Sequence, residues 1–251
     1  MITIKNAAQI DKMKAAGKLL GHIRDAVRDA VRPGITTLEL DKMAEEMIRE
    51  AGAIPSFKGY HGFPSTLCTS VDKVVVHGFP NDVPLKEGQL LSIDTGLILN
   101  GWQADSAVSV IVGGKGSEIA EKLLRVTEEC FYEGLKKARE GNRVGDIGHA
   151  VQVHAEKNGF GVIRALCGHG IGREMHEDPD VPNYGEPGRG PRLKRGMTIC
   201  IEPMISAGHW SVHTLADGWG VVTDDGSICS HHEHTICITD DAPEILTLGG
   251  N

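Results

Sequence analysis

The sequence lacks several features that would place it in other classes of protein. Its six cysteines form no C-x-x-C pair, which argues against a zinc knuckle and against a dense disulfide framework. It also lacks the apolar core of a signal peptide at its N-terminus and any apolar run long enough to cross a bilayer. We therefore expect a protein of the reducing cytoplasm that does not associate with membranes.

Concentrated positive charge is missing as well. The formal net charge is -8, and the lysines and arginines form no cluster. Because phosphate contacts need closely spaced basic side chains, we do not expect nucleic acid to be the main ligand. What the chain does have is 251 residues with 40% hydrophobic content, enough to bury a large core.

The chain repeats local patterns about one hundred residues apart. Leu85-Lys86-Glu87-Gly88 followed by Ile93-Asp94 recurs as Leu193-Lys194-Arg195-Gly196 followed by Ile201-Glu202. His61-Gly62 recurs in the same way as His169-Gly170. The repeat predicts two pseudo-symmetric halves, about residues 8–113 and 116–248, within a single domain over residues 1–251.

Each half begins with helical periodicity and then changes to β-like alternation. The predicted helices are 10–31, 37–51, 117–140 and 145–158, with a capping box from Thr36 to Glu39 and Ser117 as a cap. The predicted strands are 90–99, 102–112, 197–201, 219–223 and 227–239, with hairpin turns at Asn100-Gly101 and Asp225-Gly226. Helices followed by strands, twice, predict an α+β fold.

The first hairpin predicts that two acids share one face of the sheet. If Asn100 and Gly101 form the loop, Asp94 faces Ala107. Asp105 is two residues from Ala107, so it lies on the same face as Asp94, diagonal to it at roughly 7 to 8 Å. A metal ion fits between such carboxylates.

Three acids of this sequence have an apolar context that is unusual for surface residues. Asp94 and Glu202 each follow an isoleucine inside an apolar strand, and Glu233 leads the run Thr235-Ile236-Cys237-Ile238. Most acidic side chains are solvated surface groups, which is the plainer interpretation of any one of them. Three buried carboxylates close together would repel one another without a counter-cation, so the pattern favours a metal site.

One histidine lies among glycines. Gly168-His169-Gly170-Ile171-Gly172 allows the backbone to approach a ligand closely, and His176 follows shortly afterwards. The spacing supports a glycine-rich turn with an incidental histidine about equally well. Val76-His77-Gly78 is a weaker signal still.

Taken together, these acids and histidines occur in an order and spacing that resemble the type I methionine aminopeptidases of the pita-bread fold. The segments that carry the resemblance over nearly the whole chain are Gly59-Tyr60-His61-Gly62-Phe63-Pro64, Val76-His77-Gly78, Ser92-Ile93-Asp94, Gly168-His169-Gly170-Ile171-Gly172, Ile201-Glu202-Pro203-Met204 and Glu233-His234-Thr235. The resemblance implies two pseudo-symmetric halves that share a curved antiparallel sheet with helices outside. The chain also resembles the compact bacterial form of this family, for which we expect a monomer.

The resemblance implies a hydrolase that removes the N-terminal methionine from polypeptides with a small second residue, using a water that bridges two divalent metals. Asp94 would hold one metal, His169 and Glu202 the other, and Asp105 and Glu233 would bridge both. Four carboxylates and one imidazole suit Mn, Fe or Co better than a thiolate-rich zinc site does, with Zn as an alternative.

Further roles follow from the same resemblance. Glu202 would also act as the general base, His176 would stabilise the developing charge on the carbonyl oxygen, and His77 would contact the scissile amide. The residues implied for the methionine pocket are Tyr60, Phe63, Cys68 and Trp219. Aromatic and sulfur groups suit a thioether, although ordinary core packing is the alternative, above all for the cysteine.

The chain departs from many relatives at a few positions near the implied site. These positions are Phe57, Met175, Gln103-Ala104 and His231-His232, and the two added imidazoles could perturb or capture metal. None of the departures removes an implied metal ligand, but they bear on specificity. The segment 177–192, with four prolines and three glycines, is predicted to be an irregular loop near His176.

Three other functions are compatible with such a sequence. They are a non-catalytic binding protein on the same fold, an X-Pro peptidase, and an interaction module that binds calcium without hydrolysis. The sequence leaves open which metal is used in the cell, whether the ribosome recruits the protein, and whether it is a specialised second copy of the enzyme.

Overall fold

The structure of the protein, a computed structural model, describes residues 1–249. The helices are α1 (Ala7–Asp29), α2 (Thr37–Glu50), α3 (Glu118–Lys137) and α4 (Val144–Lys157), with a short 3-10 helix at Tyr60–Gly62. The strands before α3 are β1 (Ile54–Pro55), β2 (Leu67–Val71), β3 (Val74–Val76), β4 (Leu90–Leu99) and β5 (Trp102–Ile111). The strands after α4 are β6 (Gly161–Val162), β7 (Cys167–Gly170), β8 (Glu177–Pro182), β9 (Thr198–Ile201), β10 (Met204–Ser206), β11 (Val212–Thr214), β12 (Val221–Thr223), β13 (Cys229–His231), β14 (His234–Cys237) and β15 (Glu244–Ile245).

The helix starts are fixed by side-chain caps. Thr36 accepts from the backbone N–H of Glu39, whose carboxylate accepts from the backbone N–H of Thr36 in return, so the predicted capping box is confirmed. The Ser117 hydroxyl accepts from the N–H of Ala120, as predicted for α3. All four predicted helices are present, with ends that differ by a few residues.

The β4–β5 hairpin has the predicted turn and the predicted register. Asn100 and Gly101 both have positive φ, 52° and 75°, as a two-residue hairpin loop requires. Asp94 lies opposite Ala107. The side chain of Asp105 therefore lies on the same face of the sheet as that of Asp94.

The strands are antiparallel throughout and form four sheets. Their orders are β1-β4-β2 with β5 against β4, β13-β10-β6, β11-β12-β3, and β15-β14-β9-β7-β8. The first and last sheets are joined where the main chains of Ala107 and Glu233 exchange two hydrogen bonds. Antiparallel sheets with helices packed against them confirm the α+β class.

The helices cover the faces of the sheets that carry the apolar residues. In the first core cluster, Leu20 of α1 and Leu40 of α2 pack with Ile93 of β4. In the second, Phe131 of α3 packs with Ile201 of β9. Since side chains alternate along a strand, the acids that follow these isoleucines point to the opposite side, away from the helices.

One pair of glycines, Gly34 and Gly141, makes the same contact in the two parts of the chain. The N–H of Gly34 donates to the carbonyl of Leu85 at 2.8 Å, and the N–H of Gly141 donates to that of Leu193 at 3.0 Å. Both glycines have φ close to 90°. These matched contacts support the division into two related halves, which stays a prediction.

The predicted strand 227–239 is wrong as a single element. Its first part, β13, pairs with β10, and its second part, β14, pairs with β9 and β15. His232 and Glu233 lie between them, and the Glu233 main chain pairs with Ala107 instead. The change of partner breaks the strand and turns Glu233 towards the interior.

Two further predictions from turn and loop signals need correction. Asp225-Gly226 is not a hairpin turn, because β12 pairs with β11 and β3 while β13 pairs with β10. A tight turn does form there, with the Gly226 N–H donating to the carbonyl of Thr223 at 3.3 Å. The loop predicted over 177–192 begins with a strand, since β8 pairs with β7.

Among residues 1–249, no helix combines the length and the apolar character that crossing a bilayer requires.

Candidate active site

A cavity of about 450 Å³ opens where the main sheets meet. The five predicted metal ligands all line it: Asp94, Asp105, His169, Glu202 and Glu233. So do the six other predicted site residues: Tyr60, Phe63, Cys68, His77, His176 and Trp219. The remaining lining residues are Phe57, His61 and Met175. The structure therefore brings every predicted site residue to one cavity.

The acids come from four different places in the fold. Asp94 and Asp105 lie on β4 and β5, and their positions follow from the hairpin register. Glu202 directly follows β9, and Glu233 lies in the break between β13 and β14. Strand alternation, the hairpin turn and the change of strand partner together place the four carboxylates on one side.

His169 on β7 contacts two of these acids. Its Nε2 lies 3.7 Å from Oδ2 of Asp105 and 3.8 Å from Oε1 of Glu202. Its Nδ1 lies 2.8 Å from the carbonyl oxygen of Gly170, which can only accept a hydrogen bond. Nδ1 therefore carries a hydrogen, and Nε2 faces the carboxylates, which is the orientation of a metal-ligating imidazole.

The electrostatics of the group make several negative charges costly unless protons or cations offset them. Burial, together with the neighbouring acids, raises the pKa of Asp94 and of Glu233 well above the usual range of a carboxyl. Burial raises the pKa of Glu202 to about 8, with His169 opposing and Asp105 adding to the effect. Burial alone would lower the pKa of His169, but Asp105 and Glu202 outweigh it and raise that pKa to about 9.

Three oxygens of the group are buried without a hydrogen-bond partner among the described residues. They belong to Asp94 (Oδ1), Asp105 (Oδ1) and Glu233 (Oε1). Ligand atoms of Asp105, His169, Cys200 and Glu233 also lie within 4.8 Å of one another. Unpartnered buried oxygens at ligand spacing fit divalent cations, which would satisfy the oxygens and offset the charge.

His176 is held in a neutral state beside the acids. Its Nδ1 lies 2.8 Å from the Tyr60 hydroxyl, and its ring lies 4.3 Å from that of His169 between centroids. Burial, with the positive charge of His169 adding to it, lowers the pKa of His176 to about 4. If the hydroxyl donates to Nδ1, Nε2 carries a hydrogen that a substrate oxygen could accept.

His77 occupies a strained backbone conformation at the cavity. Its φ is 59°, in the left-handed region that residues other than glycine rarely adopt. The neighbouring Gly78 has no room for a side chain, since a Cβ there would lie 2.3 Å from the carbonyl oxygen of Thr69. Burial lowers the pKa of His77. Strain of this kind is common where a fold holds a side chain for function.

An apolar pocket adjoins the acids. Phe57, Phe63, Cys68 and Met175 form a buried cluster against which Trp219 packs. Two positions at which the chain departs from many relatives, Phe57 and Met175, thus belong to the pocket wall. Sulfur and aromatic groups of this kind suit a polarizable side chain such as a thioether.

The other departures lie at different distances from the acids. Gln103 accepts a 2.6 Å hydrogen bond from the Ser56 hydroxyl and does not line the cavity. Buried Ala104 does not line it either. His231 contacts the carboxylates of Glu202 and Glu233, whereas His232 packs against Phe131.

Sequence reasoning missed two residues at the site. His61 lines the cavity and was not predicted to do so. The repeat, in which His61 matches His169, was a signal that could have identified it. Cys200 lies two residues before Glu202 on β9, so alternation puts both on one face. That alternation could have identified the cysteine before the structure was known.

Comparisons with known proteins agree with this geometry. The model of metallopeptidase family M24 matches residues 11–240. A methionine aminopeptidase of Clostridium perfringens (strain 13 / Type A) is 53% identical over 248 residues, which is 99% of each chain. The crystal structure of methionine aminopeptidase from Rickettsia prowazekii superposes with a TM-score of 0.97 at 42% identity, covering 99% of this chain and 100% of that one.

More distant structures share only the fold. The prolidase from Pyrococcus horikoshii OT3 has a TM-score of 0.78 at 23% identity, and the match covers 99% of this chain but 64% of that one. The nearer matches extend over nearly all of both chains and share this arrangement of helices and antiparallel sheets, the pita-bread fold. The chain therefore belongs to metallopeptidase family M24 and, within it, to the methionine aminopeptidases.

Proposed function

We propose that the protein hydrolyses the peptide bond after an N-terminal methionine in polypeptides whose second residue is small. One observation carries the proposal. Four carboxylates and an imidazole converge on one cavity, three of their buried oxygens have no partner among the described residues, and an apolar pocket with sulfur and aromatic groups adjoins them.

In this proposal Asp94 would hold one divalent cation, His169 and Glu202 would hold a second, and Asp105 and Glu233 would contribute to both sites. The donors are mostly hard oxygens, which favours Mn, Fe or Co, with Zn as a further candidate. Two such cations would act as Lewis acids and lower the pKa of a bound water.

Side chains of the protein would carry out the proton transfers and stabilise the developing charge. Glu202 takes a proton from the attacking water and can pass it to the departing amine, so that the carboxyl ends the cycle as it began. His176, neutral because its pKa is about 4, donates from Nε2 to the carbonyl oxygen as negative charge develops there. His77, which also lines the cavity, would contact the scissile amide.

Selection of the first residue falls to the pocket and the acids together. Tyr60, Phe63, Cys68 and Trp219 receive the methionine side chain, and the free α-amine of the substrate would bind near one of the cations. The preference for a small second residue comes from the family resemblance. We also propose that the protein acts on newly made chains, as a monomer, in the cytoplasm.

The test uses protein purified without added metal. Metal analysis should find divalent cations, a chelator should abolish cleavage of a Met-Ala peptide, and added Mn, Fe or Co should restore it. Retained turnover in chelated protein would refute the metal-dependent mechanism.

The same assay separates the rival functions. Cleavage of an Ala-Pro peptide in preference to Met-Ala would indicate an X-Pro peptidase. Metal binding without any hydrolysis would indicate a binding module. We expect Met-Ala cleavage alone.

A further inference from the structure

The ring of His231 faces two acids of the proposed metal centre but does not line the cavity. Its Nε2 lies 3.7 Å from Oε2 of Glu202 and 4.0 Å from Oε2 of Glu233. The other oxygen of Glu202, Oε1, lies 3.8 Å from Nε2 of His169. The carboxylate of Glu202 is thus placed between two imidazoles, one approaching each oxygen.

Neither ring nitrogen of His231 forms a hydrogen bond with another described residue. The residue is 2% exposed. A neutral imidazole presents one N–H and one lone pair, and burying them unpaired is costly. The nearby carboxylates are groups that can offset this cost, because they only accept.

The main chain of His231 is held firmly in place. Its N–H donates to Oγ of Ser109 at 3.0 Å, and the Ser109 hydroxyl donates to its carbonyl oxygen at 2.8 Å. Ser109 lies on β5, the strand that also carries Asp105. The backbone from which the imidazole projects is therefore tied to the strand that carries Asp105.

We propose that His231 is a positioning residue for the metal centre. Its Nε2 faces Oε2 of Glu202 at 3.7 Å and Oε2 of Glu233 at 4.0 Å, and its electrostatic attraction for them favours the orientation in which the remaining oxygens bind cations. Groups that hydrogen-bond metal ligands commonly tune affinity in this way. The inference rests on the proposed function, in that it takes the centre to hold divalent cations.

The next residue offers a matched control. His232 is partly buried, and its Nε2 also lacks a partner among the described residues. Its ring packs against Phe131 and His234, with centroids 5.4 and 5.2 Å away. Both adjacent histidines thus have an unpartnered Nε2 among the described residues, but only His231 faces the acids.

The experiment measures the affinity of metal-free protein for Mn(II) by EPR titration. His231→Leu should weaken binding about 10- to 100-fold, since the leucine fills the space without donating. His231→Gln, whose amide can donate, should stay close to wild type, as should His232→Leu. Unchanged affinity in His231→Leu would overturn the proposal, as would a glutamine variant as weak as the leucine variant.

A measurement on wild-type protein covers the case in which His231→Leu fails to fold. Pulsed EPR of the Mn(II)-loaded enzyme should detect one directly coordinated imidazole nitrogen, that of His169. Two would make His231 a ligand and overturn its positioning role. Failure of the wild type to bind Mn(II) or to cleave Met-Ala would instead refute the proposed function, so the two failures are distinguishable.

Discussion

The main chains of Ala107 and Glu233 exchange two hydrogen bonds, of 3.2 Å from the Ala107 N–H and 2.9 Å from the Glu233 N–H. Ala107 also lies directly opposite Asp94 in the β4–β5 hairpin. One residue of β5 thus sets the position of an acid from the first sheet and of an acid from the break between β13 and β14. The cluster of carboxylates can form only when these parts of the chain have docked.

Replacing Asp105 by alanine should abolish both metal binding and turnover. Asp105 is 4% exposed and is proposed to bridge the two cations, so its loss removes a ligand from each. Metal analysis and a Met-Ala cleavage assay would check this. The exposed Asp82 offers a control, and Asp82→Ala should behave as wild type. A full complement of metal in Asp105→Ala would show that this carboxylate is not a ligand.

Replacing His176 by alanine should lower kcat about 100- to 1,000-fold, the usual effect of losing one donor to a developing oxyanion. The metal content should not change, because the proposed role of His176 is to contact the substrate. Tyr60→Phe, which removes the 2.8 Å contact to Nδ1, should have a smaller effect in the same direction. Loss of metal from His176→Ala would instead identify the histidine as a ligand.

The hairpin register could be predicted because its determinants are local. An Asn-Gly pair between two apolar runs favours one turn type, that turn fixes which residues face each other, and strand alternation does the rest. Asp94, Ala107 and Asp105 therefore lie where the sequence predicts them. The helix caps at Thr36 and Ser117 are local in the same sense.

The errors have a different physical origin. The alternation of 227–239 contains no sign that the chain changes strand partners at Glu233, since that depends on β5, more than one hundred residues away. The prolines of 177–192 favour a loop, yet β8 forms as an edge strand, where missing N–H groups cost little. The different contacts of His231 and His232 likewise depend on the tertiary fold.

Replacing Gly168 by alanine should weaken metal binding without touching a ligand. A Cβ at this position would lie 2.3 Å from the carbonyl oxygen of Cys200, so β7 or β9 must move, and His169 moves with β7. Crowding of this kind costs about 1 to 3 kcal/mol of stability. Urea unfolding and Mn(II) titration would measure the two effects. In Gly116→Ala the nearest atoms to the new Cβ are side-chain atoms of Ile111, at 3.2 Å, and Cβ of Ala120, at 3.5 Å, so this variant should show much weaker effects. Equal behaviour of both variants would exclude the steric argument.

The Lys5–Glu177 ion pair should make stability depend on pH. Lys5 Nζ lies 2.7 Å from Oε2 of Glu177, and their side chains are 5% and 10% exposed. Burial alone would raise the pKa of Glu177, but the hydrogen bonds from Lys5 and Thr3 outweigh it and lower the pKa below the ordinary value of about 4.5. Because the folded pKa is lower than the unfolded one, the stabilisation is present above about pH 4.5 and is lost as the pH falls through the folded value.

Lys5→Met should therefore cost up to about 3 to 5 kcal/mol at neutral pH, since it leaves the buried carboxylate of Glu177 without its cationic partner. The difference in free energy of unfolding between Lys5→Met and wild type should narrow as the pH falls below about 4.5 and Glu177 takes up a proton. Urea unfolding at a series of pH values would measure this difference. The double variant Lys5→Met/Glu177→Gln lacks the titrating carboxyl. The difference in its free energy of unfolding from the single variant Glu177→Gln should therefore not narrow as the pH falls. The exposed pair Lys14–Glu244 is the matched control, and Lys14→Met should change stability little. A constant difference between Lys5→Met and wild type at every pH would mean that Lys5 stabilises the fold by packing and not through its charge.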